Sequence, residues 1–345
     1  MPTTATLPAS APRPAVTPMA FVRAMVRAYE RRGLDASAAL REAQITPAAL
    51  RRADARITAA QMETVSGLAM QQLDDEALGW FSRRLPWGSY GMLCRASITS
   101  PQLGLALQRW CRHHRLLTED IVLHLATDGA AARLWIEERR DLGEMREICC
   151  VTLLRYVHGF ACWAIDSRIP LREVHFPFPA PRHRDAYPVM FPGPVRFRMP
   201  HAGLVFDAAY LALPLRRDER ALQAMLQRAL PLTVLQYRRD RLLAQRVREA
   251  LHADTAGLAD AAAVAAALNV SVRTLHRQLR DEGCSLQQLK DEARRARATE
   301  LLERSRRPIK QIAAAVGFRN EKSFARAFAG WTGVAPSAWR EGVRR

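Results

Sequence analysis

The stretch PIKQIAAAVGFRNEKSFARAFAGWTG, residues 308 to 333, repeats a pattern that already occurs in DAAAVAAALNVSVRTLHRQLRDEG, residues 260 to 283. In each copy a short apolar segment is followed by a turn and by a second segment with apolar residues four positions apart. These pairs are Leu275 with Leu279 and Phe324 with Phe328. Residues four apart lie on one face of an α-helix, so each copy predicts a helix-turn-helix motif.

The two copies differ in the length of their turns. The positions of Ala265, Leu268 and Val270 have equivalents 48 residues later. The positions of Leu275, Arg277 and Leu279 have equivalents 49 residues later, so the turn of the second copy contains one extra residue. The small side chains of Ala265 and Ala313 would let two helices cross closely. We predict Ser271 and Asn320 as N-caps of the second helices, because their side-chain oxygens can accept hydrogen bonds from free backbone amides.

A single helix is predicted between the two motifs, over residues 285–304 and before Pro308. Its inner face is expected to carry apolar residues at helical spacing: Leu286, Leu289, Ala293, Ala296, Leu301 and Leu302. Such a helix is about 30 Å long, close to the roughly 34 Å between successive major-groove openings on one face of B-DNA. One chain could therefore read a site of roughly 20 base pairs without an internal palindrome.

The outward faces of the second helices carry groove-reading side chains. These are Arg273, His276 and Arg277 in the first copy, and Glu321, Lys322 and Arg326 in the second. Arginine can pair bidentately with guanine, and the first turn of such a helix reaches the base edges. We expect Ser271 and Ser323 to contact phosphate or to cap the helix. A solvated face on an ordinary helical hairpin is the alternative for one copy, but two matched basic copies favour DNA.

Charge is concentrated at the carboxyl end of the chain. The 345 residues contain 52 Lys and Arg against 34 Asp and Glu, a net charge of +18, and the last 110 residues contribute +10 of it. A basic domain favours a polyanionic partner such as nucleic acid. Arginine-rich composition alone is weak evidence, so the arrangement of the residues has to decide.

Residues 240–340 resemble the DNA-binding domain of AraC/XylS-type transcriptional regulators. The resemblance is carried by the segment IKQIAAAVGFRNEKSFARAFAGWTGVAPSAWR and by a run in the first copy between Ala265 and Arg277. It implies that Arg273, His276 and Arg277 occupy the first base-reading positions. It implies equally that the second set is Asn320, Glu321, Lys322 and Arg326. Leu279 departs from the family pattern, which usually has an aromatic residue there, and Arg295 stands where the linker helix often has an apolar residue.

Residues 18–235 resemble the arabinose-binding domain of one branch of this family. The similar blocks are GSYGMLCRASITSPQLGLALQRWCRHHRLL (88–117) and VHFPFPAPRHRDAYPVMFPGPVRFRMPHAGLVF (174–206). The resemblance implies a small-molecule effector and self-association into a homodimer. The family's name for the domain is not taken as an assignment of the ligand.

The residues themselves predict an α+β domain over 18–235, after a disordered leader at 1–17. Alternating residues at 120–127 and 132–138 surround Asp128 and Gly129, which indicates a hairpin. Further short strands are predicted at 172–178 and 194–199, and helices at 144–165 and 218–230. Six aromatic residues could line an effector pocket, although core packing is the favoured interpretation: Trp80, Trp87, Tyr90, Trp110, Trp135 and Trp163.

The fold expected for the whole chain is thus an α+β domain followed by an all-α domain at 236–345. That second domain comprises motifs at about 258–283 and 308–333, joined by the linker helix at 285–304. The apolar stretch at 148–165 contains Arg155 and His158, which favours a buried helix over a membrane span. The amino-terminal 18 residues lack the features of a secretory signal, so we expect a cytoplasmic protein without a membrane partner.

Six cysteines in so long a chain indicate free thiols rather than a disulfide scaffold. Two minor alternatives remain: oxidant sensing by Cys149 and Cys150, and metal binding by Cys111 with His113 and His114. Neither spacing matches a recognised ligand set. We therefore predict no metal and no cofactor.

These observations predict a sequence-specific transcriptional regulator, an activator controlled by a small effector. Its expected partners are double-stranded promoter DNA and RNA polymerase. Two alternatives are a nonspecific basic architectural protein and a DNA-repair enzyme that carries this type of module. The chain contains none of the GxSxG, HExxH, GxGxxG and P-loop patterns, so we expect no enzymatic activity.

Overall fold

The computed structural model describes residues 16–227, 242–253 and 260–343. Contacts divide the chain into two units, Met1–Arg238 and Arg239–Arg345, which we call the N-terminal and C-terminal units. The first combines helices with β-sheet, and the described part of the second is helical, so the predicted fold class is confirmed. The predicted junction at 235/236 lies outside the described residues, as does the predicted leader apart from Val16 and Thr17.

A five-stranded sheet forms the centre of the N-terminal unit, with the order β3-β4-β7-β5-β6. Neighbouring strands are antiparallel except for the parallel pair β5 and β6. The strands are β3 Ile121–Asp128, β4 Ala131–Glu138, β5 Leu171–His175, β6 Val195–Arg196 and β7 Ala202–Asp207. A separate two-stranded sheet pairs β1 Thr17–Pro18 with β2 Arg56–Ile57, so Thr17 belongs to a strand and not to the leader.

The predicted hairpin is confirmed: β3 and β4 pair in register, with Asp128 opposite Ala131 and a two-residue turn at a left-handed Gly129. The predicted strands at 172–178 and 194–199 exist but end earlier, at His175 and Arg196. The sequence interpretation missed β7, which lies between β4 and β5. There a Cβ at Gly203 would lie 2.8 Å from the carbonyl oxygen of Leu134, so the close approach of the two strands requires glycine.

Nine described α-helices accompany these strands within residues 16–227. They are α1 Met19–Glu30, α2 Ser37–Glu42, α3 Pro47–Arg51, α4 Ala59–Gln72, α5 Ser89–Ile98, α6 Leu103–His114, α7 Arg146–Ala164, α8 Tyr187–Met190 and α9 Glu219–Leu226. Helix α7 is the long helix that the sequence predicts; 13 of its residues are buried, and it contacts β7. No helix among the described residues is long and apolar enough to cross a membrane.

The aromatic residues considered for an effector pocket differ in their burial. Trp80, Trp110 and Trp163 are buried, and the ring of Trp110 lies 4.7 Å from that of Phe160, as core packing predicts. Trp87 is 53% exposed, so the core interpretation is wrong for this residue. Trp135 is half-buried and stacks on His124 at 4.9 Å between ring centroids.

The cysteines give little support to redox or metal chemistry. Cys149 and Cys150 are buried, and burial raises the pKa of both thiols, which disfavours the reactive thiolate. Burial also raises the pKa of Cys111 to about 12 and lowers that of His114 to about 4. In the part of the chain that the structure describes, no group of three or more His, Cys, Asp or Glu side chains is placed to hold a metal ion.

The C-terminal unit consists of two small lobes that share one helix. Its described helices are α10 Leu242–Ala253, α11 Ala261–Ala267, α12 Val272–Asp281, α13 Leu286–Arg304, α14 Ile309–Ala315, α15 Glu321–Thr332 and α16 Pro336–Val343. The first lobe is the core formed by α10, α11, α12 and the start of α13. The second lobe is the core formed by the end of α13 with α14 and α15, against which Trp339 of α16 packs.

Helix α13 confirms the predicted linker helix but not its predicted inner face. Leu289 and Ala293 are buried in the first lobe, whereas Ala298 and Leu302 are buried in the second. At 100° per residue the two buried faces differ by about 180°. Ala296, which the pattern placed on the inner face, lies between the two buried segments along the helix and is exposed.

Candidate nucleic-acid interface

The second helix of each motif, α12 in the first lobe and α15 in the second, begins at a side-chain cap. The Ser271 side chain accepts a hydrogen bond from the Thr274 amide at 3.1 Å, and the Asn320 side chain accepts one from the Ser323 amide at 2.8 Å. Both predicted N-caps are therefore present. The caps fix where each helix begins, and so which side chains stand on its first turn.

The two turns are built in the same way despite the extra residue in the second. The amide of Val270 donates to the carbonyl of Ala265 at 3.0 Å, and the amide of Phe318 donates to that of Ala313 at 2.9 Å. The preceding residue is left-handed in both copies, Asn269 at φ 55° and Gly317 at φ 82°. Glycine and asparagine are the residues that adopt this conformation at a helix end most readily.

On α12 the predicted base-reading residues share one exposed face. Arg273, His276 and Arg277 are exposed, on the side opposite Leu275 and Leu279, which are fully buried. Arg273 and Arg277 are four residues apart, so their guanidinium groups stand one above the other. No ion pair of these two arginines is found among the described residues, and their charges face solvent.

On α15 the same two positions are basic. Lys322 and Arg326 lie 49 residues after Arg273 and Arg277, both are exposed, and both lie opposite the buried Phe324 and Phe328. The N-caps Ser271 and Asn320 obey the same offset of 49. The position of His276 is occupied by Ala325, so the second helix lacks that side chain.

The other predicted site residues of α15 are less directly placed for reading bases. Glu321 is the first residue of the helix and exposed. Asn320 uses its side-chain oxygen in the cap, which leaves its amide nitrogen free for a base. Ser323 is exposed in the first turn and donates its backbone amide to that cap, so it is the residue that is capped rather than the cap.

Three exposed basic residues beside the second lobe were missed by the sequence interpretation. Arg306 precedes α14, Lys310 lies on its first turn, and Arg319 precedes the cap of α15. The first helix of a helix-turn-helix crosses the DNA backbone, so cations there are placed to contact phosphate. The corresponding helix α11 reads AAAVAAA and has no charge. The basic run from Arg304 to Lys310 was the signal in the sequence.

The orientation of α12 is supported by a buried carboxylate. Glu282, the residue after α12, is 5% exposed and accepts hydrogen bonds from the amides of Leu243 at 3.2 Å and Ala244 at 2.7 Å. These amides belong to the first turn of α10, where free N–H groups favour a negative charge. Glu282 therefore ties the end of α12 to the start of α10.

The N-terminal unit contains a cavity of about 420 Å³ that two of the predicted aromatic residues, Trp87 and Tyr90, line. Glu76 lines it as well, and its carboxylate accepts hydrogen bonds from the amides of Gly88 at 2.7 Å and Tyr90 at 2.6 Å. Burial raises the pKa of Glu76. The cavity is large enough for a small organic molecule.

Two family models match the chain. The model described as the arabinose-binding domain of AraC transcription regulator, N-terminal, matches residues 33–215, and a helix-turn-helix domain model matches residues 264–342. Among curated proteins, the ornithine utilization regulator of Pseudomonas aeruginosa is 27% identical over 327 residues, which cover 94% of this chain and 96% of that protein. The HTH-type transcriptional regulator VqsM of the same organism is 40% identical over 73 residues, 21% of this chain and 22% of VqsM.

Solved structures are similar in part. The transcriptional regulator CdpR from Pseudomonas aeruginosa is 22% identical, with coverage of 91% of this chain and 98% of that one and a TM-score of 0.34. A DNA-binding transcriptional dual regulator from Escherichia coli K-12 is 27% identical, with coverage of 30% and 92% and a TM-score of 0.29.

Proposed function

Because the chain belongs to the AraC family of transcription regulators, we propose that it reads a bipartite promoter site with α12 and α15 and answers to a small effector. The family provides an N-terminal ligand-binding domain and a C-terminal helix-turn-helix domain that binds DNA. The proposal goes further and assigns bases to Arg273, His276 and Arg277, and to Asn320, Glu321, Lys322 and Arg326 in the second helix. Ser271 and Ser323 would contact phosphate.

One observation carries this assignment. Two capped helices, each in its own lobe, present exposed basic pairs at equivalent positions, Arg273 with Arg277 and Lys322 with Arg326. A solvated helix face has no need for such a match. Major-groove readers place cations on the first turns of the recognition helix, where they reach base edges.

The regulatory part of the proposal concerns the N-terminal unit. We propose that this unit binds the effector and mediates formation of a homodimer. The C-terminal unit would then activate transcription together with RNA polymerase, in the cytoplasm. The name of the relative from Pseudomonas aeruginosa concerns ornithine utilization, which makes amino acids and their products reasonable first effectors to test. The relatives found are transcription regulators, and we propose no enzymatic activity for this chain.

The decisive experiment is a selection of genomic fragments with the full-length protein at two salt concentrations near the physiological range. The proposal expects a motif of roughly 20 base pairs with two half-blocks about one helical turn apart. Retention of random fragments that vanishes steeply with salt would instead indicate phosphate binding alone. That result would favour the architectural alternative.

Arg277→Ala and Lys310→Ala form a matched pair that separates base reading from phosphate contact. Arg277→Ala should cost about 1 to 3 kcal/mol on the selected site and relax the choice of one base pair, with little change on random DNA. Lys310→Ala should weaken both DNAs equally and reduce the slope of log K against log salt by about 0.9. Titrations at several salt concentrations measure both. An equal loss on both DNAs for Arg277→Ala would assign this arginine to phosphate.

A further inference from the structure

Arg155 of α7 lines a second cavity of the N-terminal unit, of about 70 Å³. Its Nη1 donates to the carbonyl oxygen of Met190 at 2.8 Å, and its guanidinium carbon lies 5.9 Å from the centre of the Phe191 ring. Burial lowers the pKa of Arg155 to about 10. Arg155 is half-buried and still protonated at neutral pH, so the cavity contains a positive charge that has lost part of its water.

In the part of the chain that the structure describes, no counter-ion balances this charge. Within residues 16–227, 242–253 and 260–343, no carboxylate forms an ion pair with Arg155, and burial is the sole cause of its pKa shift. Glu63 lines the same cavity but has an interaction of its own. A half-buried charge without a counter-ion is unfavourable, and such groups in cavities are common at binding sites.

The rest of the wall is mostly apolar and adaptable. It includes four methionines, Met25, Met62, Met70 and Met190. Methionine side chains are flexible and adjust to irregular apolar shapes. The cavity of about 420 Å³ described above lies next to this one, since Met70 and Tyr156 line both, and offers room for a larger ligand body.

We infer that the Arg155 cavity binds the carboxylate of a small organic acid, whose apolar part contacts the methionine wall. A guanidinium group pairs with a carboxylate through two parallel hydrogen bonds. A phosphate is less suited, because Arg155 is the only cationic residue among the described residues that line this cavity. The inference rests on the proposed effector function of the N-terminal unit and specifies its chemistry.

Thermal unfolding of the full-length protein tests the inference, with hexanoate and benzoate as probes and hexanamide and benzamide as their uncharged controls. We expect the acids to raise the unfolding midpoint and the amides to leave it unchanged. At ten times the dissociation constant, an acid should lower the apparent unfolding constant about 11-fold. Arg155→Met should abolish the response to the acids. Arg112→Gln, which removes an exposed charge from α6, should retain it.

Several results would overturn the inference: no response to either acid up to about 10 mM, an equal response to the amides, or an undiminished response in Arg155→Met. Without ligand, Arg155→Met should be as stable as the parent or more stable, because it removes a half-buried charge that has no counter-ion among the described residues. If it fails to fold, Arg155→Lys replaces it and should bind the acids more weakly. A marked loss of stability without any acid response would make Arg155 a structural anchor for Met190.

This test is independent of DNA. If the acids fail to bind while the selected motif is recovered, the carboxylate assignment is wrong and the DNA-binding proposal stands. If the acids bind but no motif is recovered, the base-reading proposal is wrong and the ligand assignment stands.

Discussion

Replacing Phe324 by alanine should lower the free energy of unfolding of the second lobe by about 3 to 5 kcal/mol, the usual loss for a large aromatic core residue. Phe324 is fully buried, and its ring centre lies 5.7 Å from those of both Phe318 and Phe328. Among the described residues, the core that contains Phe324 has eight buried members including Phe324 itself, so few neighbours can close the cavity. The lobe should unfold locally and lose the geometry of α15.

Amide hydrogen exchange of the full-length protein measures this effect where it occurs. Protection of residues 309–332 should fall by about 100-fold or more, since each 1.36 kcal/mol corresponds to a factor of ten. Leu279→Ala is the matched control, because Leu279 is equally buried but belongs to the first lobe. It should reduce protection in α12 and leave α15 largely protected.

Unchanged exchange in Phe324→Ala would contradict the core assignment of Phe324. An equal loss of protection in α12 and α15 for either variant would contradict a different point, the division of the C-terminal unit into two lobes. It would mean that α13 couples both cores into one cooperative unit.

The motifs of the C-terminal unit were predictable because their signals are local. The buried face of each helix is marked by two apolar residues four positions apart, Leu275 and Leu279 in α12 and Phe324 and Phe328 in α15. The caps need only a side-chain oxygen three residues before a free amide, and Ser271 provides it. Such a helix can therefore be predicted from its own sequence, without knowledge of the elements that pack against it.

The inner face of α13 was not predictable by the same rule. A single stripe of apolar residues led to Ala296, but the helix contacts two separate cores on nearly opposite faces. Ala298 is buried because the second lobe covers it. Periodicity describes one partner surface, and a helix shared by two lobes has two.

The centre of the N-terminal sheet was missed for a related reason. The strand Ala202–Asp207 has neighbours on both sides and is buried on both faces over most of its length, so it does not alternate. An unbroken apolar run with a glycine cannot be assigned to a strand from its period alone. Strand β4 of the hairpin does alternate in burial, and the hairpin was predicted correctly.

Because both lobes are fixed to α13, the affinity for DNA should depend strongly on the spacing between the two half-blocks of the site. The helix has 19 residues and is about 28 Å long, and both of its ends are buried in the lobes that they serve. The two lobes are therefore joined by a rigid helix and not by a flexible linker. We expect that five base pairs inserted between the half-blocks of the selected site turn one half-block to the opposite face of the DNA.

The affinity for this inserted site should fall at least about 100-fold, to that of a single half-block, because several base contacts worth about 1 to 3 kcal/mol each are lost. Ten inserted base pairs restore the face but separate the half-blocks by about another 34 Å, beyond the reach of α13. The affinity should therefore stay low, as titrations of the parent site and both inserted sites at one salt concentration would reveal. Recovery with ten base pairs would show that the two half-blocks are read by separate chains or across a flexible joint, and would contradict reading by one rigid pair of lobes.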